Sequence, residues 1–138
     1  MTAGVTTFLM FEGRAEEAMT FYTSLFDDGQ VLSVARYGPG EPGEEGAVKH
    51  ARFAFAGQEF LCVDGSERHE SVFASAASLY VECESEDEID RLYGALGDEG
   101  AVLMPLGDHG IGTKFGWVND RFGLSWQLSL PKPRSQAC

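Results

Sequence analysis

The sequence predicts an α+β fold of two tandem βαβββ modules that form a curved mixed sheet. Internal repetition predicts it first. Residues 18–29, AMTFYTSLFDDG, align without gaps on residues 89–100, IDRLYGALGDEG, with Tyr22 on Tyr93, Leu25 on Leu96, Asp27 on Asp98 and Gly29 on Gly100, an offset of 71. The same offset carries TTFLMF (6–11) onto ASLYVE (77–82). Finally, each helical pattern is preceded by one β-prone run and followed by three.

The elements follow in order. TTFLMF is short, aromatic and β-prone, and Glu12 and Gly13 break it. Ala15, Ala18, Met19, Tyr22, Leu25 and Phe26 then recur at the spacing of one helix face, with Glu16 and Glu17 in the first turn where they complement the helix dipole. Gly29 is placed to end that helix as a left-handed cap. QVLSVARY (30–37) is the next strand, and GPGEPGEEG (38–46) is an acidic loop without core-forming residues. AVKHARFAFAG and QEFLCVD form a hairpin turning at Gly57. The second copy opens with SLYVECE. Ser85 and Glu88 form a capping-box pattern, and Ile89, Leu92, Tyr93 and Leu96 supply the apolar stripe. AVLMPL, TKFGWVND and LSWQLSL are its remaining strands, joined by GDHGIG and by the turn Asp120–Arg121–Phe122–Gly123. Module one is read as 1–70, module two as 71–131 and a frayed tail as 132–138. No spacer of linker composition divides them, so residues 1–138 are read as one domain.

Composition excludes whole classes of partner. Asp and Glu number 22 against 10 Lys and Arg, a formal net charge of -12. That field repels nucleic acid and anionic bilayers, and no basic stripe offsets it. No run approaches the roughly 18 apolar residues of a membrane helix, and the N-terminus has no basic region of the secretory kind. Three widely spaced cysteines, Cys62, Cys83 and Cys138, suit reduced thiols and a cytoplasmic setting.

FLMFEGRAEEAMTFYTSLF, SLYVECESEDEIDRLYGAL and MPLGDHGIGTKFGWVNDRFGLSWQL together resemble the vicinal oxygen chelate superfamily of glyoxalase I, extradiol dioxygenases and bleomycin and fosfomycin resistance proteins. The nearest likeness is to the PhnB-like, "3-demethylubiquinone-9 3-methyltransferase" type. The resemblance implies a glyoxalase/bleomycin resistance-like fold, a small-molecule cup and a homodimer. It implies chemistry less well, because one scaffold carries many reactions. A methyltransferase activity is not expected: the chain has no glycine-rich strand-to-helix loop and no alternating parallel-sheet pattern.

In metal-using relatives each module gives one ligand from its first strand and one from its last. The resemblance carries these positions onto Thr7 and Ser78, and onto Cys62 and Gln127. Thr, Ser and Gln are neutral and one thiolate alone will not hold a catalytic cation, so no metal and no cofactor are expected. The four are read instead as ligand-lining groups. Strand alternation adds Leu9 and Phe11 beside Thr7, Tyr80 and Glu82 beside Ser78, and Ser125 and Ser129 beside Gln127; Phe8, Met10 and Trp126 then face the helices. Trp117 joins the lining set, and His50, Arg52, Glu82 and His109 are possible polar or lid residues. His69 reads as surface, and Cys62 as a small buried hydrophobe rather than a nucleophile. Two alternatives stay open: a metal-dependent glyoxalase or dioxygenase with non-standard ligands, and a non-catalytic structural dimer module.

Overall fold

The computed structural model describes residues 4–65, 77–110 and 113–131. Its element order is β1 (Thr7–Phe11), α1 (Ala15–Ser24), β2 (Gln30–Arg36), β3 (Val48–Phe55), β4 (Gln58–Asp64), β5 (Leu79–Glu82), α2 (Glu86–Gly97), β6 (Ala101–Gly107), β7 (Lys114–Asn119) and β8 (Ser125–Leu130). Each half is the expected βαβββ unit. The chain divides into two compact units, Met1–Val72 and Phe73–Cys138. His69 and the expected tail lie outside the described residues.

In the first unit the strand order is β1-β4-β3-β2, with β1 parallel to β4 and the other neighbours antiparallel. Helix α1 buries Ala15, Ala18, Met19 and Tyr22 against the sheet. Tyr22 meets Phe11 and Phe53 at ring distances of 6.3 Å each. Phe53, Phe55 and Phe60 stack on one another, and Phe26 lies flat on Phe55 at 4.5 Å. Burying each such ring contributes about 2–3 kcal/mol. No side chain of its own caps α1. Asp64, at the end of β4, accepts the Ala15 amide at 2.8 Å and the Val48 amide at 3.0 Å, tying helix start and β3 to one carboxylate. The hairpin turns on Ala56 and Gly57, both at positive φ (51° and 77°), and Asp28 accepts both amides.

Gly29 differs from the expected left-handed cap. The helix ends four residues earlier with Leu25 in right-handed conformation, and Gly29 is not at positive φ. A Cβ there would lie 2.0 Å from the Thr23 carbonyl oxygen, so close backbone approach selects the glycine. Gly100, its repeat partner, is selected the same way by a different neighbour, the Asn119 carbonyl oxygen at 2.1 Å.

In the second unit the order is β5-β8-β7-β6, again with the first pair parallel. Ser85 accepts the Glu88 amide at 3.1 Å, the cap expected of α2, while Glu88 accepts the Glu84 amide at 2.7 Å, one residue before the N-cap amide that a capping box would pair. Ile89, Leu92 and Leu96 are fully buried with Val118, Trp126 and Leu128. Asp120 holds the β7–β8 turn. Its buried carboxylate accepts from the Phe122 and Leu124 amides and from Trp126 Nε1 at 2.9 Å, while Gly123 takes the left-handed place. The edge strands β2 and β6 carry the register shifts, and Pro105 stands in β6, where pairing on one side only tolerates it.

Candidate functional site

Each sheet has a helix-covered side and an open side, and the packing fixes which residue faces which. In the second unit a Cβ on Gly116 would touch the Tyr93 ring at 3.0 Å, and one on Gly97 would touch Val118 at 3.6 Å. Gly116 and Val118 therefore face α2. Their register partners Leu128 and Trp126, with Val81 and Leu79 beyond, face it too. The open side then carries Ser78, Tyr80 and Glu82, Ser125, Gln127 and Ser129, and Phe115, Trp117 and Asn119, the alternation read from the sequence.

The first unit departs from that reading. Phe11 is buried against Tyr22 of α1, and Leu9 and Thr7 share its side. Their partners Cys62 and Phe60 lie on the same side. The open side belongs to Phe8, Met10, Leu61 and Val63, with His50, Arg52, Ala54 and Glu59. Thr7, Leu9, Phe11 and Cys62 are thus core-side residues rather than lining ones. The cause is a one-residue shift of strand phase relative to the helix start, with both connections three residues long. The helix-facing Leu9 stands six positions before α1, while the helix-facing Val81 stands five before α2. A gap-free alignment hides this slip, and a slip of one exchanges the two faces of a strand. Matching helix-facing pairs, Thr7–Phe60 with Leu79–Trp126, makes Leu61 the true counterpart of Gln127, not Cys62.

The open side of the second unit has an internal order. Tyr80, Gln127 and Trp117 lie in one cross-strand row. Trp117 Nε1 donates to Ser125 Oγ at 2.8 Å, and Ser125 Oγ lies 2.6 Å from Ser78 Oγ. This ties the indole in one orientation and seals Ser125, which is 1% exposed. Tyr80 is 54% exposed. Asn119, which the sequence did not single out, stands opposite Ser125, and its buried Oδ1 has no hydrogen-bond partner among the described residues. Glu82, Ser129 and Phe115 form the next row.

These residues do not fit the divalent cation that the superfamily implies. Gln127 and Ser78 are neutral, and Leu61 offers no donor at all. The Cys62 thiol is fully buried, and burial first, then the nearby Asp64 charge, pushes it up to about 12, so no thiolate is on hand. Among the described residues, no three His, Cys, Asp or Glu side chains are grouped to hold a metal. Cys83 is likewise buried and pushed up to about 12, by burial before the charge of Glu88.

Residues 3–129 match the model of the 3-demethylubiquinone-9 3-methyltransferase family. The chain belongs to that family. This PhnB-like chain is 56% identical to a PhnB protein from Bacillus cereus, over 91% of its own length and 98% of the other's, with a TM-score of 0.88. A structure from Pseudomonas aeruginosa is 26% identical over 96% and 100% of the two chains, with a TM-score of 0.82. A glyoxylase/bleomycin resistance protein/dioxygenase domain from Frankia shares 14% identity, 96% and 99% coverage and a TM-score of 0.64, which shows the common fold. No curated protein matches. The PhnB-like resemblance and the tandem-module fold read from the sequence therefore hold.

The remaining polar candidates of this PhnB-like chain fall in separate places. His50 and Arg52 stand on the open side of the first sheet, where Arg52 pairs with Glu59 at 3.3 Å, both exposed. His109 Nε2 lies 2.6 Å from the Pro105 carbonyl oxygen, with its ring edge-on to Phe115 at 6.2 Å. Among the described residues it is the one histidine that packs against an aromatic of the second open face. Among the described residues, no helix is long and apolar enough to cross a membrane.

Proposed function

We propose that this PhnB-like protein binds a small, partly apolar organic molecule on the open face of its second sheet, without a metal at the superfamily's ligand positions. The observation that carries the reading is the Tyr80–Gln127–Trp117 row. It sets an exposed phenol and an oriented indole on either side of a half-buried amide. Aromatic walls with a few placed polar groups are what small-molecule sites use. Ser78 adds a hydroxyl, whose Oγ shares a 2.6 Å hydrogen bond with Ser125 Oγ in which either group can donate. His109 beside Phe115 is placed to border the same face as a lid.

Methyl transfer is not part of this reading, although the family description carries the word. The strand-to-helix connections, Glu12–Gly13–Arg14 and Cys83–Glu84–Ser85, are tight turns, neither of them a glycine-rich loop suited to a nucleotide-like cofactor. The reading treats residues 1–138 as one domain and the protein as a cytoplasmic homodimer, as the resemblance implies.

The test is a protein-observed NMR screen of uncharged aromatic fragments on protein purified without a His tag. It is run once in EDTA and once with added Mn(II). The proposal expects fragments that shift the Tyr80, Trp117 and Gln127 signals equally in both. Binding that requires the cation, or no fragment shifting these signals, contradicts it.

A further inference from the structure

We infer that Gln127 reads the ligand through a paired hydrogen bond, and that the ligand is therefore an uncharged planar ring bearing a lactam-type edge, a carbonyl beside an N–H. This inference rests on the small-molecule reading above and specifies its chemistry.

The position of Gln127 carries the argument. It sits on β8 between Tyr80 on β5 and Trp117 on β7, so strands roughly 5 Å away on either side each present an aromatic ring. Its carboxamide is half-buried, and among the described residues it meets no hydrogen-bond partner. The neighbouring polar groups do not compete for it. Trp117 Nε1 is committed to Ser125, and Ser125 to Ser78. A primary amide offers one acceptor and one donor side by side in a plane. Its complement is a group with a donor and an acceptor at the same spacing, the geometry by which Gln and Asn read an adenine edge. Aromatic rings flanking the amide favour a flat partner that covers them while it bonds.

Charge decides the rest of the specification. Among the described strand residues of this face the single charge is Glu82, whereas Lys114 points to the α2 side and pairs with Asp90 at 2.7 Å and Glu86 at 3.7 Å. A carboxylate or phosphate ligand would meet one like charge here and the field of a chain with net charge -12. A neutral lactam meets neither cost. The first sheet supplies an internal contrast, since the corresponding position is Leu61 between Phe8 and Arg52, where no amide is available.

The experiment is a fluorescence titration of wild type, Gln127→Leu and Gln127→Glu with four bicyclic probes of similar size: 2-quinolinone, naphthalene, quinoline-2-carboxylate and N-methylquinolinium. Thermal melts confirm that each variant folds. The inference expects 2-quinolinone to bind wild type at least about tenfold more tightly than the other three. It also expects both substitutions to abolish the advantage of 2-quinolinone over naphthalene. Equal binding of naphthalene and 2-quinolinone overturns the inference but leaves an apolar small-molecule site standing. Tighter binding of the carboxylate or of the quinolinium also overturns it, in favour of an ionic site. If no probe binds, the small-molecule reading itself fails with it.

Discussion

The two modules share one topology and one strand order, yet they present opposite chemistry on their open faces. The first shows Phe8, Met10, Leu61 and Val63, with the Arg52–Glu59 ion pair at its margin. The second shows Tyr80, Gln127 and Trp117 over a hydroxyl chain. The two units share what the backbone needs and differ in what the faces display. The hairpin turns make the same point. Asp28 clamps the first from outside, through the Ala56 and Gly57 amides, while the second is held from within by Asp120. A helix needs its N-terminus satisfied in both modules, and Asp64 does it in one and Ser85 in the other.

The largest effect that would sharpen this contrast is at the second turn. Asp120→Ala removes the acceptor of Trp126 Nε1, of the buried Leu124 amide and of the part-buried Phe122 amide, and is expected to cost about 3–5 kcal/mol in urea unfolding. Asp28→Ala, at an exposed turn, is expected to cost less, and equal losses would break the distinction between the two clamps. Next in size is Gly116→Ala. Its Cβ would press on the Tyr93 ring at 3.0 Å and on Leu106 at 3.2 Å, for an expected loss of about 1–3 kcal/mol in thermal unfolding.

Smaller still is the functional contrast. Trp117→Ala is expected to weaken binding of an uncharged aromatic probe about tenfold, whereas Phe8→Ala and Leu61→Gln in the first sheet leave it unchanged, measured by calorimetric titration. A loss at Phe8 or Leu61 of the same size would move the site to the wrong module.

The smallest effect concerns pH. The Ala56 amide, then the Gly57 amide, holds the Asp28 carboxyl below its usual value, so its contribution is present above about pH 4 and fades as pH falls through the lower folded value. Arg36 does the same for Glu16. The melting-temperature difference between wild type and Asp28→Asn is expected to be greatest near pH 6 and to vanish in strong acid. A difference independent of pH would contradict that role.

Most of the backbone was legible in the sequence because helix period, turn residues and the repeat all point to the same elements. The second open face was legible too, since Ser78 and Gln127 set a strand phase that the structure keeps. The first face was not. Thr7, Leu9 and Phe11 alternate with Phe8 and Met10, and every one except Thr7 is apolar, so nothing in the pattern marks which set meets the helix. Phase came from the resemblance at Thr7 and from the repeat at Ser78, and the gap-free repeat conceals a one-residue shift of strand phase relative to the helix start. Cys62 followed the same error, because its place was inferred from Gln127. Asn119 gave no signal, as its buried oxygen is a product of the β7–β8 pairing rather than of any motif.

Opposite strand phase beneath one alignment is the point on which the site assignment turns, and paired thiol labelling tests it most directly. Single cysteines replace Phe8, Leu9, Tyr80 and Val81 in a Cys138→Ser background, where Cys62 and Cys83 are buried and poorly ionised. Phe8→Cys and Tyr80→Cys are expected to react rapidly with a maleimide, and Leu9→Cys and Val81→Cys slowly. Rapid labelling at Leu9 with protection at Phe8 would restore the gap-free phase and contradict the account.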